Sequence, residues 1–208
     1  VDSRAGVPSE KTIDALIGKT IDFESFLEDI SRRADLVHNG SVSRRNDNML
    51  KITSDGRKAA LDMRLVDSAA AFSCQSKVAR CAENVFDIYM KTGAKRLAQL
   101  VFCDTSTPKD GFNLYDELKD ILVSMGVNQD EIAFVHDAET EQERSKLFAC
   151  VRAGDVRILV GSTFKLGLGV NVQDRLIALH HLDVPWRPAD MTQREGRILR
   201  RGNMNPKV

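Results

Sequence analysis

The sequence predicts an α/β fold over residues 95 to 208, a mostly parallel sheet covered by helices. A mainly helical, partly basic extension over residues 1 to 94 precedes it. From residue 95 onward, short apolar runs alternate with amphipathic segments, which is the pattern of strands joined by crossover helices. Two of those runs, Arg157-Ile158-Leu159-Val160 and Leu176-Ile177-Ala178-Leu179, are almost continuously apolar, as strands buried on both faces require. The residues that follow the runs are polar, and the strand ends of such sheets are where ligands are met.

Taken in order, residues 1 to 9 read as a flexible lead-in ending in Pro8-Ser9. Residues 10 to 36 form one or two helices with an apolar stripe of Phe23, Phe26, Leu27 and Ile30; in the two-helix reading the first stops near Gly18 and Asp22 caps the second. Met49 to Thr53 is a strand candidate closed by the turn signal Ser54-Asp55-Gly56, and Arg57 to Arg64 a short helix. Lys77 to Thr92 is a stronger helix, with Val78, Cys81, Val85, Ile88 and Tyr89 on one side and Gly93 as its stop. The predicted strands are 97–103, 132–136, 156–161 and 176–182. Between them lie helices over 114–125 and 140–151, and an arginine-bearing helix follows the last strand. The strand ends are Asp104-Thr105-Ser106, His136-Asp137, Gly161-Ser162-Thr163 and Asp183.

The composition, 42% hydrophobic and 29% charged, is that of an ordinary globular chain, and Lys+Arg and Asp+Glu are equal at 30 each. Charge is uneven along the chain: residues 40 to 64 and residues 180 to 208 each carry six bases against three acids. Local basic patches in a neutral protein suit a directed contact with an anion. Cys74, Cys81, Cys103 and Cys150 form no close CxxC pair and read as buried thiols in a reducing cytoplasm, and no metal site is expected. No run approaches the roughly 20 apolar residues of a membrane span. The first residue is Val1 and the last segment stops just after a motif, so the chain reads as a fragment of a longer protein.

Two constellations carry chemistry. Thr192 to Asn203 concentrates four arginines and a glutamine; on a helix, Gln193, Arg197 and Arg200 stand at i, i+4 and i+7 and share one face. Such a face is either ordinary solvated surface or a binder of phosphate oxygens, which the guanidinium fork suits. The second is Gly161 to Gln173, where Gly167 and Gly169 follow Ser162, Thr163 and Lys165 and precede Asn171. It reads equally as a phosphate-approaching loop or as a tight strand-to-helix turn. Trp186, between Pro185 and Pro188, sits on a rigid loop as a packing plug or as a surface for another domain or a nucleic acid. His180-His181 reads as sheet packing and His136-Asp137 as a turn.

The order of these segments resembles the second RecA-like domain of superfamily 2 helicases, nearest the Swi/Snf-type branch of duplex-DNA translocases. Val101-Phe102-Cys103-Asp104 is similar to motif IV and Ser162-Thr163 with Gly167-x-Gly169-x-Asn171 to motif V. Gln193-x-x-Gly196-Arg197-x-x-Arg200-x-Gly202 is similar to motif VI. Asn203 stands where the Swi/Snf pattern has glutamine, and Arg201 adds a charge beside Arg200. The resemblance implies a RecA-like three-layer domain in which Arg200 is the finger reaching the γ-phosphate and Arg197 its companion. Gln193 would orient nucleotide or water, and Gly167 and Gly169 would lie at the nucleotide cleft. Ser162, Thr163, Lys165 and Asn171 would meet the nucleic-acid backbone or, for the hydroxyl pair, link motifs V and VI. Arg44 and Arg45 in the basic extension are a further expected DNA contact.

A Walker A sequence is absent and no Asp-Glu pair stands in a DExH-like context; Asp116-Glu117 lies inside the amphipathic segment after Gly111, not at a strand end. The resemblance therefore implies that ATP and Mg2+ are held mainly by a first RecA-like domain outside this chain, and that the chain alone hydrolyses nothing. The implied partners are duplex DNA and that N-terminal RecA-like domain, with no membrane, in a bacterial or phage-related cytoplasm. Asp47 to Leu65 resembles a segment of phage- and plasmid-associated proteins that join a helicase to an adenine-specific DNA methylase, which implies a fused methyltransferase domain. The rival readings are a degenerate RecA-like module that binds DNA or a partner without hydrolysis, and a small phosphate- or nucleotide-binding enzyme complete in itself.

Overall fold

The computed structural model describes residues 7–12, 21–167 and 171–208. The chain divides into two compact units, Leu16–Arg80, and Val1–Ala15 with Cys81–Val208.

The smaller unit holds α1 (Ile21–His38) and α2 (Met49–Leu61). The predicted strand over 49–53 is instead the first turn of α2, and the predicted helix from Arg57 is its second half. Asn48 in extended conformation caps the helix, its side chain accepting from the Lys51 amide. Met49 and Leu50 are exposed, Leu50 by 77%, while Ile52 and Ala59, two turns apart, are buried. The short apolar run is thus one edge of a helical stripe. Ser54-Asp55-Gly56 continues the helix, with Asp55 held by Arg33 of α1 at 3.0 Å. Arg33 also grips Asp47 through two bonds of 2.7 and 3.0 Å. That guanidinium holds the Asp47 carboxyl below the usual carboxylate range. Asp22, the expected cap of a second helix, lies inside α1; Gly18, the expected end of a first one, lies outside the described residues.

The larger unit takes in most of α3 (Lys77–Lys91), followed by β1 (Ala98–Phe102), α4 (Leu114–Ser124), β2 (Ile132–Phe134), α5 (Glu141–Ala153), β3 (Ile158–Gly161), α6 (Thr163–Gly167), β4 (Leu176–His181) and α7 (Pro188–Glu195). The four strands are parallel, in the order β2-β3-β1-β4. This is the mostly parallel sheet with flanking helices that the sequence predicts. β1 and β3 are buried throughout, but β4 is mostly half-buried because it lies at a sheet edge among the described residues. Around the sheet, Leu100, Phe102, Val135, Phe148, Val151, Leu159, Leu166 and Ile198 form a continuous apolar core.

The helix ends follow local chemistry. Thr140 and Glu143 form a reciprocal capping box on α5, and Gly154, at a φ of 88°, closes it. Asn113 caps α4 through the Tyr115 and Asp116 amides. α3 is fastened by Arg157, which is buried just before β3, lies over the Tyr89 ring, and donates to the Tyr89 carbonyl at 2.7 Å and the Thr92 hydroxyl at 3.0 Å. This places a cation at the negative end of the helix.

Three further expectations need correction. The lead-in is paired where it is described: Ser9 bridges Lys207 in parallel, with the Ser9 amide donating to Pro206 and the Val208 amide donating to Ser9. Cys81 and Cys103 are buried, but Cys74 and Cys150 are exposed. The arginine segment is not one helix. α7 starts at Pro188 and stops at Glu195, and the chain then turns through Gly196 so that Ile198 enters the core.

His180 explains how a histidine is accommodated in the sheet. Its Nε2 donates to the Gln99 side-chain oxygen at 2.9 Å, and the Gln99 amide donates to the Val85 carbonyl at 2.9 Å. Burial lowers the His180 pKa to about 4, well below its value of ~6.5 in an unfolded chain. Stability from this histidine is complete above ~6.5 and is lost as pH falls toward ~4, because only the unfolded state takes up the proton in that window. A loss of roughly 2 kcal/mol by pH 5 is expected from His180, read as a falling thermal midpoint between pH 7 and pH 5. A midpoint flat across that range would contradict it.

Candidate functional site

The carboxyl ends of β1, β3 and β4 meet in one hydrogen-bonded cluster. Asp104 follows β1, Thr163 follows β3 at the start of α6, and Asp183 follows β4. Asp104 accepts from the Thr163 amide at 2.6 Å and from the Thr163 hydroxyl at 2.7 Å. Asp183 accepts from the Asp104 and Thr105 amides at 2.7 and 2.6 Å. Arg194 of α7 lies at the centre, with its side chain wholly buried. Its Nε donates to the Thr163 hydroxyl at 2.7 Å. Nη1 donates to the Asp183 carbonyl at 2.7 Å and meets His181 Nδ1 at 3.4 Å. Nη2 donates to Asp104 at 2.7 Å and to Asp183 at 3.1 Å. All five guanidinium hydrogens are thereby used.

The electrostatics follow from this arrangement. Burial pushes the Asp104 carboxyl up, but the Thr163 hydroxyl and amide and the Arg194 charge outweigh it and hold the group below the usual range. His181 stacks on Phe102; burial, then the Arg194 charge, lowers its pKa to about 4, so it stays neutral and accepts. Truncating a fully buried cation held by two carboxylates costs on the order of 3–5 kcal/mol.

Beside this cluster lies a second group. The Arg197 guanidinium, half-buried, donates to the Gly167 carbonyl at 2.7 Å. A Cβ on Gly167 would stand 3.4 Å from the Gln193 amide nitrogen, so Gln193 lies over that glycine. Burial, then the nearby Arg200 charge, lowers the Arg197 pKa. Arg200 is exposed. Among the described residues no carboxylate forms an ion pair with Arg197 or Arg200. The structure therefore brings Gln193, Arg197 and Gly167 together with Arg200 close by, although a turn rather than a continuous helix places them.

The remaining predicted residues divide. The Ser162 hydroxyl is buried and accepts from the Lys165 amide, capping α6. The Thr163 hydroxyl is committed to Asp104 and Arg194. Lys165 is half-buried, its charge lowering the His136 pKa after burial does so. Asn171 is exposed and its carbonyl accepts from Arg152 at 2.9 Å. Gly169 lies outside the described residues. Arg44 and Arg45 are exposed in a turn of the smaller unit. Trp186 is on the surface, 67% exposed, and Phe164, next to Thr163, is 73% exposed. Asn203, the residue that departs from the Swi/Snf pattern, donates to the Leu176 and Ile198 carbonyls. Arg194, the centre of the cluster, is the residue that the sequence patterns did not single out. Its signal was the pair of aspartates at two strand ends, which need a buried cation if they are to be covered.

Gly161 shows how tightly β3 delivers Thr163. A Cβ there would lie 2.7 Å from Leu166 Cγ and 3.2 Å from Val135. Gly161→Ala should cost about 1–3 kcal/mol through overpacking, measured by urea unfolding; an unchanged midpoint would show that Leu166 moves aside freely.

Comparison with known proteins gives the following. The family described as Helicase conserved C-terminal domain matches residues 81–202. No curated protein matches the chain. Among solved structures, the C-terminal part of the Fun30 ATPase domain is similar over 97% of this chain and 84% of its own, with 14% identity and a TM-score of 0.61, a likeness of fold. The DUF1998 helicase MrfA bound to DNA shares 19% identity over 58% of this chain, with a TM-score of 0.43. The Hef helicase domain of Pyrococcus furiosus shares 14% identity over 89%, with a TM-score of 0.42. The chain spans only 16% of the MrfA chain and 35% of the Hef chain.

Proposed function

Because this chain belongs to the family of helicase conserved C-terminal domains, we propose that it is the second RecA-like domain of an ATP-dependent DNA helicase or translocase. In this reading it supplies an arginine finger to a nucleotide held by a first domain. The observation that carries the reading is the basic edge formed by Arg197 and Arg200, which among the described residues has no carboxylate to neutralise it. Two adjacent guanidiniums without a counter-charge favour an anion brought from outside.

Gln193, Arg197 and Arg200 would offer N–H groups toward the phosphate oxygens of ATP. In this reading Mg2+, like the nucleotide itself, is held mainly by the first domain. ATP supplies the phosphoryl group whose transfer to water drives the motor. Arg200, which is exposed, would stabilise the charge on the equatorial oxygens of the transferring phosphoryl group. Arg197 is fixed by the Gly167 carbonyl, so its remaining donors are presented at a set angle. Gln193, lying over Gly167, orients the nucleotide or the attacking water.

DNA backbone contacts are assigned to Lys165, Asn171 and the segment from Ser162, with Arg44 and Arg45 as a second contact; Gly167 and Gly169 join this segment to the cleft. Phosphate contacts of this kind give salt-dependent binding with little sequence preference. No described helix is long and apolar enough to cross a membrane; the location that goes with this reading is a bacterial or phage-related cytoplasm. The resemblance of residues 47–65 supports a fused adenine-specific methyltransferase domain in the same protein.

In the full-length protein, Arg200→Ala should lower the DNA-stimulated ATP turnover by about 10³-fold or more with the fold intact. Normal turnover would remove the finger assignment, and a folded, DNA-binding but inactive wild-type protein would favour the degenerate module. Replacing Arg44 and Arg45 together by alanine should weaken duplex binding. It should also make the slope of log K against log salt shallower by about 1.8, the share of two phosphate contacts; an unchanged slope would leave that patch ordinary solvated surface.

A further inference from the structure

We infer that Leu50, presented beside Arg44 and Arg45, is an apolar wedge that enters between base pairs of duplex DNA while the two arginines hold the flanking phosphates. The inference rests on the reading of Arg44 and Arg45 as a DNA contact and deepens it, from a grip on the backbone to a deformation of the duplex.

A single exposed leucine is ordinary surface, but Leu50 is out of place in more than exposure. It is 77% exposed, the most of any large apolar side chain among the described residues, and Met49 beside it is 51% exposed. On α2 it stands two residues before the buried Ile52, about 160° around the helix. It therefore lies opposite the face on which Ile52 and Ala59 are buried. Its own face carries Thr53, Ser54 and Arg57, at i+3, i+4 and i+7, and all three are polar.

The surroundings set the partner. Residues 39 to 58 hold five bases, Arg44, Arg45, Lys51, Arg57 and Lys58, and two acids, Asp47 and Asp55. Both acids are spent on Arg33 of α1, Asp47 through bonds of 2.7 and 3.0 Å and Asp55 at 3.0 Å, so they face inward. Glu24 and Glu28, exposed on α1, lie toward its far end, and Asp35 is the acid of its last turn. Among the described residues no carboxylate forms an ion pair with Arg44, Arg45 or Lys51. An apolar knob among uncompensated cations matches duplex DNA, which sets the faces of stacked bases between two rows of phosphates. Leucine and methionine are among the side chains that enter such steps.

The turn before α2 is built to hold its place. The Asn46 and Asp47 amides donate to the Ser43 carbonyl at 2.9 and 3.1 Å. The Asn48 side-chain amide donates to the Arg44 carbonyl at 3.1 Å, and Lys51 Nζ donates to the Asn46 carbonyl at 3.2 Å. The Asn48 side-chain oxygen accepts from the Lys51 amide at 3.0 Å, which fixes the first turn of α2 and with it Leu50. None of these bonds uses the guanidinium of Arg44 or Arg45, so both forks stay available for phosphate. A wedge must keep its shape against stacked bases, and a turn closed by its own bonds and pinned by Arg33 loses little freedom on binding.

The test uses the full-length protein without nucleotide and two duplexes of one sequence, one perfectly paired and one with a central mismatch that weakens stacking. A wedge enters the mismatched step more easily, so the wild-type protein should bind that duplex about 10-fold tighter. Leu50→Ala should bring the two affinities within about two-fold of each other, at an unchanged melting temperature because the side chain has no packing to lose. Replacing Arg44 and Arg45 together by alanine should weaken both duplexes alike and keep their ratio, because phosphate contacts do not sense stacking. The fluorescent base 2-aminopurine, placed beside the mismatch, should brighten further when saturating wild-type protein binds and not when Leu50→Ala binds. Equal binding of the two duplexes by the wild type, or a preference that survives in Leu50→Ala, would overturn the wedge. The salt slope of the double arginine variant separates the two claims. A shallower slope without a wedge signal sinks the inference alone, whereas an unchanged slope removes the DNA contact and the inference with it.

Discussion

The structure depends on one buried cation. Asp104 and Asp183 sit at the ends of adjacent strands; Asp183 accepts from the Asp104 and Thr105 amides and Asp104 from the Thr163 amide and hydroxyl, and a carboxylate as buried as Asp183 is costly without a positive partner. Arg194 supplies it with every hydrogen of its guanidinium in use. A desolvated ion pair of this kind adds little net stability over an apolar packing, so its value lies in defining one arrangement: it fixes where α7 crosses the strand ends and therefore where the residues after α7 emerge.

What emerges there is the opposite of a satisfied cluster. Within a few residues of Arg194, Arg197 spends one bond on the Gly167 carbonyl and Arg200 projects into solvent. One arginine is saturated so that two others can be left unsaturated in known directions. This division between a closed network underneath and an open basic edge above is the physical basis for assigning the edge to phosphate. The chain that follows is secured in the same way: Asn203 and Asn205 donate to the Leu176 carbonyl at the start of β4, and residues 206–208 pair with the segment around Ser9. The turn bearing Arg200 is therefore anchored at both ends.

Much of this was legible in the sequence, for physical reasons that differ by element. The parallel sheet was readable because strands buried on both faces leave continuous apolar runs, and the strand ends were readable because they are polar where the core stops. The helix over 49–61 was misread because Met49, Leu50 and Ile52, interrupted only by Lys51, satisfy a short strand template. Only the cap at Asn48 and the tie from Arg33 to Asp55 decide for helix, and the latter spans 22 residues. The arginine segment was identified correctly as a cluster but assigned the wrong backbone, since the requirement that Ile198 enter the core outweighs helical periodicity. Arg194 was missed for a related reason: on a helical wheel it falls off the face shared by Gln193, Arg197 and Arg200, and nothing local announces that its partners lie 11 and 90 residues away.

If this chain is the arginine-donating half of a DNA-driven motor, ATP hydrolysis measured with and without duplex DNA separates the 208-residue chain from the full-length protein. The chain should hydrolyse nothing under either condition, and the full-length protein should show DNA-stimulated hydrolysis. Hydrolysis by the chain alone, or a folded full-length protein that binds DNA and remains silent with ATP, would contradict it.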